Sequence, residues 1–412
     1  MTTKKSKCFS KAAICTTAVL LCLAIFGTAC AKDPSDLSQN NVTESVGVIN
    51  PDALGSLQDA SGTHSLSVSA QAAIVVEAET GRVIWAKNAH TSLPMASTTK
   101  IMTALVALEN ADPAKTVSIS SDAVGVEGSS VYLYEDERLS LEDLLYAMLL
   151  ESANDAAAAI AIEVGGSIEG FSQMMNAKAE ELGLERTSFA NPHGLDDPEH
   201  YTTAAELAKI AVAAMKNESF RNIVSTYKKT IPLNETEGVR LLINHNKMLS
   251  RYDGAVGIKT GYTKKSGRCL VSAAEHDHVK LICVTLNAPD DWNDHSTLLD
   301  YGFSVCESRS LCEENGFSQA VPVVGGDTDF VTAVNSIPLR ITVPSTLPQI
   351  FCTVELPHFL YAPIEEGETV GYLTYTVGGQ LLARIPLRAG DTVNQITYKK
   401  SLWERLSSFG KE

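Results

Sequence analysis

The sequence predicts an α+β domain followed by a small all-β domain. The chain has 412 residues, which exceeds one ordinary hydrophobic core and favours two folded domains. Strand-like apolar runs lie at both ends of residues 66–310 and enclose segments with helical spacing, a pattern typical of an antiparallel sheet with a helical subdomain. After Gly325 the helical pattern stops, and short strand-like runs predict a β domain over residues 320–395.

Helices are predicted in the middle of the α+β domain. Pro94, followed by apolar residues at helical spacing, places Ser97 at the head of the first one. Ser140-Leu141-Glu142-Asp143 is a capping box, which predicts a second helix from Leu144 to about Leu150. Two more are expected at Ala156–Val164 and Thr203–Met215.

Strands are predicted where short apolar runs are bounded by turn residues. In the α+β domain they are Ala73–Ala78, Arg82–Ala86, Val256–Thr260, Cys269–Ala274 and Leu281–Leu286. In the β domain they are Val331–Val334, Leu339–Val343, Phe351–Leu356, Glu368–Tyr375 and Leu381–Pro386.

Residues 1–31 have the layout of a secretory signal, with lysines before an apolar run at residues 12–29 and small residues after it. A retained membrane helix would need about 20 apolar residues, and this run is slightly short. Cleavage before Lys32 fits Ala29-Cys30-Ala31, whereas Gly27–Cys30 resembles a bacterial lipobox with Cys30 as the lipidated residue. We expect an exported protein at the outer face of the cytoplasmic membrane or in the cell wall.

Both flanks of the folded part have a distinct composition. Residues 32–65 are rich in Ser, Asn, Asp and Gly, which predicts a flexible linker. Residues 396–412 form a predicted amphipathic helix whose apolar face carries Tyr398, Leu402, Trp403, Leu406 and Phe409. Such a helix favours peripheral membrane association, and docking on its own protein is the alternative.

Charge and cysteine usage exclude several classes of protein. The net charge of −16 argues against nucleic acid as a partner, because phosphate binding depends on clustered Lys and Arg. The five cysteines beyond the signal region lack CxxC pairs and accompanying histidine spacing, so neither a disulfide framework nor a zinc site is predicted. We expect no metal and no cofactor.

Three short motifs in one order point to serine acyl transfer: Ser97-Thr98-Thr99-Lys100, Ser152-Ala153-Asn154 and Lys259-Thr260-Gly261. A serine hydroxyl needs a base, and Lys100 lies one helical turn from Ser97. Burial and the charge of Lys259 would lower the pKa of Lys100 enough for it to accept a proton.

The remaining residues of the three motifs are expected to relay protons and to bind the substrate. Ser152 would relay a proton to the leaving group, and Asn154 would hold Lys100 and a substrate carbonyl. Lys259 and Thr260 would bind a substrate carboxylate, and Gly261 would let a substrate backbone approach closely.

The motifs resemble those of the low-molecular-mass penicillin-binding proteins, the serine D-alanyl-D-alanine carboxypeptidases. The resemblance rests on Pro94–Thr103, Ser152–Ala156, Asn191–Leu195 and Gly257–Thr263. It implies a penicillin-binding/β-lactamase-like transpeptidase domain that cleaves the terminal D-Ala–D-Ala bond of peptidoglycan pentapeptide stems. β-Lactam antibiotics would be covalent inhibitors.

By this resemblance Ser97 would form the acyl-enzyme, Lys100 would accept its proton, Ser152 would be the third active-site residue and Lys259 would bind substrate. The oxyanion would sit between the backbone N–H groups of Ser97 and Tyr262.

Three alternatives stay open: a D,D-endopeptidase that cuts crosslinks, a class A β-lactamase, and a wall-binding protein without activity. A β-lactamase needs a further Glu, usually followed four residues later by Asn. Here that pattern occurs between the second and third motifs at Glu218 and Asn222, closer to Lys259 than to Ser152, which makes this alternative unfavourable. His193 and His200 are interpreted as structural residues, since Lys100 already fills the role of base.

Overall fold

A computed structural model describes residues 49–54, 66–233, 238–346 and 349–397. The predicted signal, most of the predicted linker, Cys30 and residues 398–412 of the predicted tail lie outside the described residues. Within the predicted linker, Pro51–Leu54 form a short 3-10 helix, and Ala53 and Leu54 are buried in the core of the C-terminal β domain. These residues are packed, which differs from the predicted flexible linker. In the part of the chain that is described, no helix is long and apolar enough to cross a membrane.

The α+β domain is built on one antiparallel sheet with the strand order β2-β1-β9-β8-β7. Its strands are β1 (Ala72–Glu77), β2 (Val83–Lys87), β7 (Ala255–Thr263), β8 (Gly267–His276) and β9 (Val279–Leu286). Two small ribbons accompany the sheet: β3 (Thr116–Ser118) with β4 (Arg138–Ser140), and β5 (Lys228–Pro232) with β6 (Val239–Ile243). Because β7 is an edge strand, one row of its backbone groups faces the helices rather than another strand.

Among the described residues, helices α1–α7 lie between β2 and β7, and α8 follows β9. They are α1 (Lys100–Asn110), α2 (Leu141–Leu150), α3 (Asn154–Gly165), α4 (Ile168–Glu181), α5 (Ala204–Lys216), α6 (Glu218–Ser225), α7 (Met248–Arg251) and α8 (Asp291–Val305). Successive residues of a strand face opposite sides of a sheet, and β1 shows this directly. Ile74 belongs to the core shared with the helical middle, whereas Val75 belongs to the core shared with Leu298 and Leu299 of α8.

The C-terminal part is all β. Its strands are β10 (Cys306–Cys312), β11 (Ser318–Val324), β12 (Phe330–Val334), β13 (Leu339–Pro344), β14 (Ile350–Glu355), β15 (Leu360–Tyr361), β16 (Thr369–Val377) and β17 (Gln380–Ala389). Strands β10 and β13 pair with each other, and the others form a six-stranded sheet in the order β14-β16-β17-β12-β11-β15.

The predicted fold class, an α+β domain with a C-terminal all-β domain, is confirmed. Helix α2 begins at Leu141, three residues before the predicted start, because Ser140 is itself the N-cap. Its Oγ accepts a hydrogen bond from the Asp143 N–H at 3.0 Å. Ser97 lies in a short 3-10 turn, Ala96–Thr99, that leads directly into α1.

Candidate active site

Ser97 and Lys100 meet at the junction between the 3-10 turn and α1. The Lys100 side chain is fully buried, and its Nζ lies 3.0 Å from Ser97 Oγ. Nζ also donates to Asn154 Oδ1 at 2.7 Å and to the carbonyl oxygen of His193 at 2.6 Å. The first and second motifs therefore meet at a single amine.

The surroundings of Lys100 disfavour its charged form. Burial is the main cause of a pKa well below the usual lysine value, and the positive charge of Lys259 lowers it further. Asp155 opposes these effects without reversing them. An amine with a lowered pKa is more often neutral than an ordinary lysine, and a neutral amine can accept a proton.

The second motif fills the link between α2 and α3. Ser152 is buried and has a positive φ of 61°, an unusual conformation for a residue with a side chain. Asn154 begins α3, and its Nδ2 donates to the Glu127 carbonyl at 2.5 Å, which turns Oδ1 toward Lys100. The next residue in the loop, Gly128, has a φ of 98°, and a Cβ there would stand 2.7 Å from Asn154 Nδ2. Only glycine fits this close approach without displacing the amide.

The third motif lies on the edge strand β7. Lys259 is fully buried, and burial lowers its pKa to about 7, although Glu151 acts in the opposite direction. Its Nζ donates to the Thr260 carbonyl at 3.0 Å. A Cβ on Gly261 would lie 3.0 Å from the Ser97 nitrogen, so β7 runs directly past the serine. The side chain of Tyr262 is mostly exposed.

The turn at residues 191–195 supplies a contact that the motif analysis missed, the His193 carbonyl that accepts from Lys100. Asn191 Oδ1 accepts from the Gly194 N–H at 2.7 Å and shapes the turn. Gly194 has a φ of 88°, and a Cβ there would lie 2.0 Å from the Ala96 carbonyl oxygen. The turn is thus held against the residue that precedes Ser97.

The rings of both histidines stay neutral. Burial lowers the pKa of His193 to about 3 and that of His200 to about 4. The Ala190 N–H donates to His200 Nδ1, so Nε2 carries the proton and donates to Thr99 Oγ1 at 2.7 Å. Thr99 Oγ1 donates in turn to the Ala96 carbonyl, which links His200 to the turn that carries Ser97.

Asp155, the residue after Asn154, fixes the loop at residues 127–134 that borders the site. Its buried carboxylate accepts from Ser130 Oγ at 2.6 Å and from the Leu133 N–H at 3.0 Å. Arg240 of β6 holds the same loop through the Val131 carbonyl and forms an ion pair with buried Glu137. Two charged side chains therefore brace the rim near Asn154.

The side chains of the Glu218 and Asn222 pattern lie on the exposed surface of helix α6. Glu218 begins helix α6, and Asn222 on the same helix is exposed. No group of three or more His, Cys, Asp or Glu side chains in the described residues is arranged to hold a metal ion.

Two family models match the chain. Residues 59–290 match the model described as D-alanyl-D-alanine carboxypeptidase, and residues 307–395 match that of the penicillin-binding protein 5 C-terminal domain. The D-alanyl-D-alanine carboxypeptidase DacF of Bacillus subtilis is 33% identical over 83% of this chain and 91% of its own length. DacC of Escherichia coli is 30% identical over 82% of this chain and 88% of its own length.

Solved structures show the same likeness. Penicillin-binding protein 5 of Haemophilus influenzae is 27% identical, with a TM-score of 0.62 over 81% of this chain and all of that one. A mutant of the Streptomyces K15 DD-transpeptidase is 32% identical, with a TM-score of 0.56 over 58% of this chain and all of that one. The chain therefore belongs to the serine D-alanyl-D-alanine carboxypeptidases of peptidase family S11, the penicillin-binding hydrolases that its motifs resemble.

Proposed function

We propose that this protein removes the terminal D-alanine from peptidoglycan stem peptides through an acyl-enzyme on Ser97. The observation that carries the proposal is the set of three oxygens around Lys100 Nζ. Burial and Lys259 favour the neutral amine, which has two N–H groups and one lone pair.

The three neighbours of the amine support one direction for that lone pair. The His193 carbonyl and Asn154 Oδ1 can only accept, so each takes one N–H of the amine. Ser97 Oγ is the remaining neighbour at 3.0 Å and the one of the three that can donate a proton. Lys100 is thereby oriented to deprotonate Ser97 as its oxygen attacks the substrate carbonyl.

The remaining roles follow from position. The backbone N–H groups of Ser97 and Tyr262 would stabilise the oxyanion, and Gly261 leaves room for the peptide beside Ser97. Ser152 would pass the proton to the departing D-alanine. Lys259 and Thr260 would bind its carboxylate, and Asn154 a substrate carbonyl. Water then hydrolyses the acyl-enzyme, and a β-lactam would acylate the same serine.

Peptidoglycan fragments distinguish this activity from endopeptidase activity, which the comparisons do not favour. We expect mass spectrometry to show that pentapeptide fragments lose one alanine after incubation with the purified protein, while crosslinked dimers keep their crosslink. Conversion of dimers to monomers would instead indicate an endopeptidase. Unchanged fragments would support a wall-binding protein without activity.

We also propose attachment to the outer face of the cytoplasmic membrane. The support is the sequence: the export signal over residues 1–31, the linker over 32–65, the domains 66–310 and 320–395, and the amphipathic segment 396–412. A chain truncated after Thr397 should still hydrolyse soluble peptides but bind phosphatidylcholine vesicles more weakly. Unchanged vesicle binding would contradict the role of the tail, and a lipid-sized mass on Cys30 would identify a second anchor.

A further inference from the structure

An apolar patch covers the outer face of the C-terminal sheet at its β15 edge. Its members are Pro322 and Val324 on β11, Phe330 on β12, Phe359 before β15 and Tyr361 on β15, all exposed. Tyr361 is 70% exposed and Val324 is 50% exposed, which is unusual for neighbouring apolar side chains. We refer to these five residues as the β15-edge patch.

The patch is continuous because each member contacts the next. Phe330 is the cross-strand partner of Pro322, and Val324 is the partner of Tyr361. Pro322 and Val324 are two residues apart on one strand and share a face. The rings of Phe359 and Tyr361 pack edge to face with centroids 5.3 Å apart. Intervening Val321 and Val323 point into the core, so the outward direction of the patch is set by the fold.

The chain leaves the described structure beside this patch. The Ile396 N–H donates to the Gly325 carbonyl at 2.8 Å, next to Val324. Asn394 is held by Asp327, whose carboxylate accepts from the Asn394 backbone N–H and from Nδ2, each at 2.9 Å. The described chain therefore ends at this edge with Thr397, and segment 398–412, with its aromatic and basic residues, follows in the sequence.

The opposite edge of this sheet also exposes apolar side chains, Phe351, Val354 and Leu381, but there they lie among charged residues. There Glu355 of β14 pairs with Arg384 of β17 at 2.6 Å, and the Arg384 guanidinium stacks on Tyr372. Phe351 is an exposed aromatic residue on β14 at that edge, 56% exposed.

We propose that the β15-edge patch is a second membrane contact, which lies against the lipid interface when segment 398–412 binds it. Tyr is enriched where hydrocarbon meets headgroups, and Phe is common on the apolar face of segments that are buried at this boundary. The contact rests on the proposed membrane attachment and adds a folded surface to it. It fixes which end of the C-terminal domain faces the bilayer.

The test uses a chain that lacks residues 1–31 and retains 398–412, with phosphatidylcholine vesicles as the probe. The double variant Phe359→Ser/Tyr361→Ser should lower the vesicle partition coefficient at least about fivefold, because two aromatic side chains lose apolar contact. The loss should persist at high salt, which screens charges but not apolar burial. Phe351→Ser, at the opposite edge, should bind like the unaltered chain, and all three should release D-alanine equally from soluble peptide.

Amide hydrogen exchange gives an independent readout. Vesicles should slow exchange in peptides covering residues 322–330 and 359–361 and leave residues 350–355 unchanged. If the double variant binds as well as the unaltered chain while truncation after Thr397 abolishes binding, the patch proposal fails and the tail stands. If the unaltered chain itself does not bind vesicles, both the patch proposal and the proposed membrane attachment fail.

The proposal would also be overturned if the patch binds something other than a membrane. A concentration-dependent dimer that the double variant breaks would assign the patch to a second copy of this chain. Retention by insoluble peptidoglycan that the double variant loses, with vesicle binding unchanged, would assign it to the wall polymer.

Discussion

At the residue scale, Lys100 shows which parts of the site could be predicted from sequence. The three motifs indicated Ser97, Lys100 and Asn154, and in the structure Ser97 Oγ and Asn154 Oδ1 both lie within hydrogen-bond distance of Lys100 Nζ. The third hydrogen-bond partner of the amine is the backbone carbonyl oxygen of His193, which a residue of any type could supply. The sequence indicated the Asn191–Leu195 turn, but its residue types did not predict that a carbonyl group of this turn would point at Lys100.

Removing the charge of Lys259 should change the pH dependence of acylation. Its positive charge lowers the pKa of Lys100, so Lys259→Gln should raise that pKa. The neutral form of Lys100 then forms only at higher pH. In the pH profile of the acylation rate, the rise on the acid side should therefore shift to higher pH. Penicillin acylation followed over a pH series measures this, and an unmoved limb would show that Lys259 does not tune the base.

A side chain at Gly261 should block the site without unfolding the protein. The added Cβ of Gly261→Ala would stand 3.0 Å from the Ser97 nitrogen and 3.1 Å from the Thr98 nitrogen. If the Ser97 N–H stabilises the oxyanion, its loss should slow acylation about 100-fold or more. A melting temperature close to that of the unaltered chain serves as the control. Full acylation speed would place the oxyanion elsewhere.

At the element scale, patterns of residue type predicted the buried elements better than the amphipathic ones. The buried runs of β1, β8 and β9 were found because both faces of these strands pack against apolar cores. Helices α4, α6, α7 and α8 were not predicted. Helix α4 carries only four buried residues, one of them Ser172, so its apolar stripe is narrow. Ribbon β5–β6 was missed as well, because its outer face exposes Val239 and Leu241.

The brace between α3 and the rim loop should be needed for activity. Asp155→Asn weakens hydrogen bonds to Ser130 and the Leu133 N–H, and we expect a loss of about 1–3 kcal/mol in unfolding free energy. Because Asn154 begins the same helix, kcat should fall as well.

Ser140→Ala is the matched control for this change. It removes the N-cap of α2 and should cost about 1 kcal/mol with kcat unchanged. Urea unfolding and D-alanine release measure both variants. Equal effects of the two on kcat would show that the brace acts only through general stability.

At the scale of the whole molecule, one sheet separates two apolar cores, and buried polar groups attach helix α8 to the face that carries one of them. His295 of α8 is fully buried, and its Nε2 and Nδ1 lie within hydrogen-bond distance of Thr285 of β9 and Ser272 of β8. The division into two kinds of domain was predictable because the helical pattern ends before the short strands begin. Hydrogen bonds such as those of His295 could not be predicted, because they join residues that are far apart in the sequence and belong to no common motif.

Acid should destabilise the folded protein through its buried histidines. Burial lowers the pKa of His295 and His193 to about 3 and that of His200 to about 4. Between these values and about 6.5 the unfolded chain binds more protons, so the unfolding free energy falls as the pH drops through this range.

Thermal or urea unfolding between pH 7 and pH 4 measures this effect. His295→Gln should make the pH dependence shallower by up to about 1.4 kcal/mol per pH unit, because it removes a ring that binds a proton more readily in the unfolded chain. A flat stability profile in the unaltered chain would contradict the neutral state of these rings.

The central claim is that Lys100 activates Ser97 to form a covalent acyl-enzyme. Intact-protein mass spectrometry after incubation with benzylpenicillin, followed by peptide mapping, tests it most directly. We expect one added antibiotic mass on the peptide that contains Ser97, and neither that mass nor D-alanine release in Ser97→Ala. An adduct that persists in Ser97→Ala, or that maps to Ser152, would contradict the account.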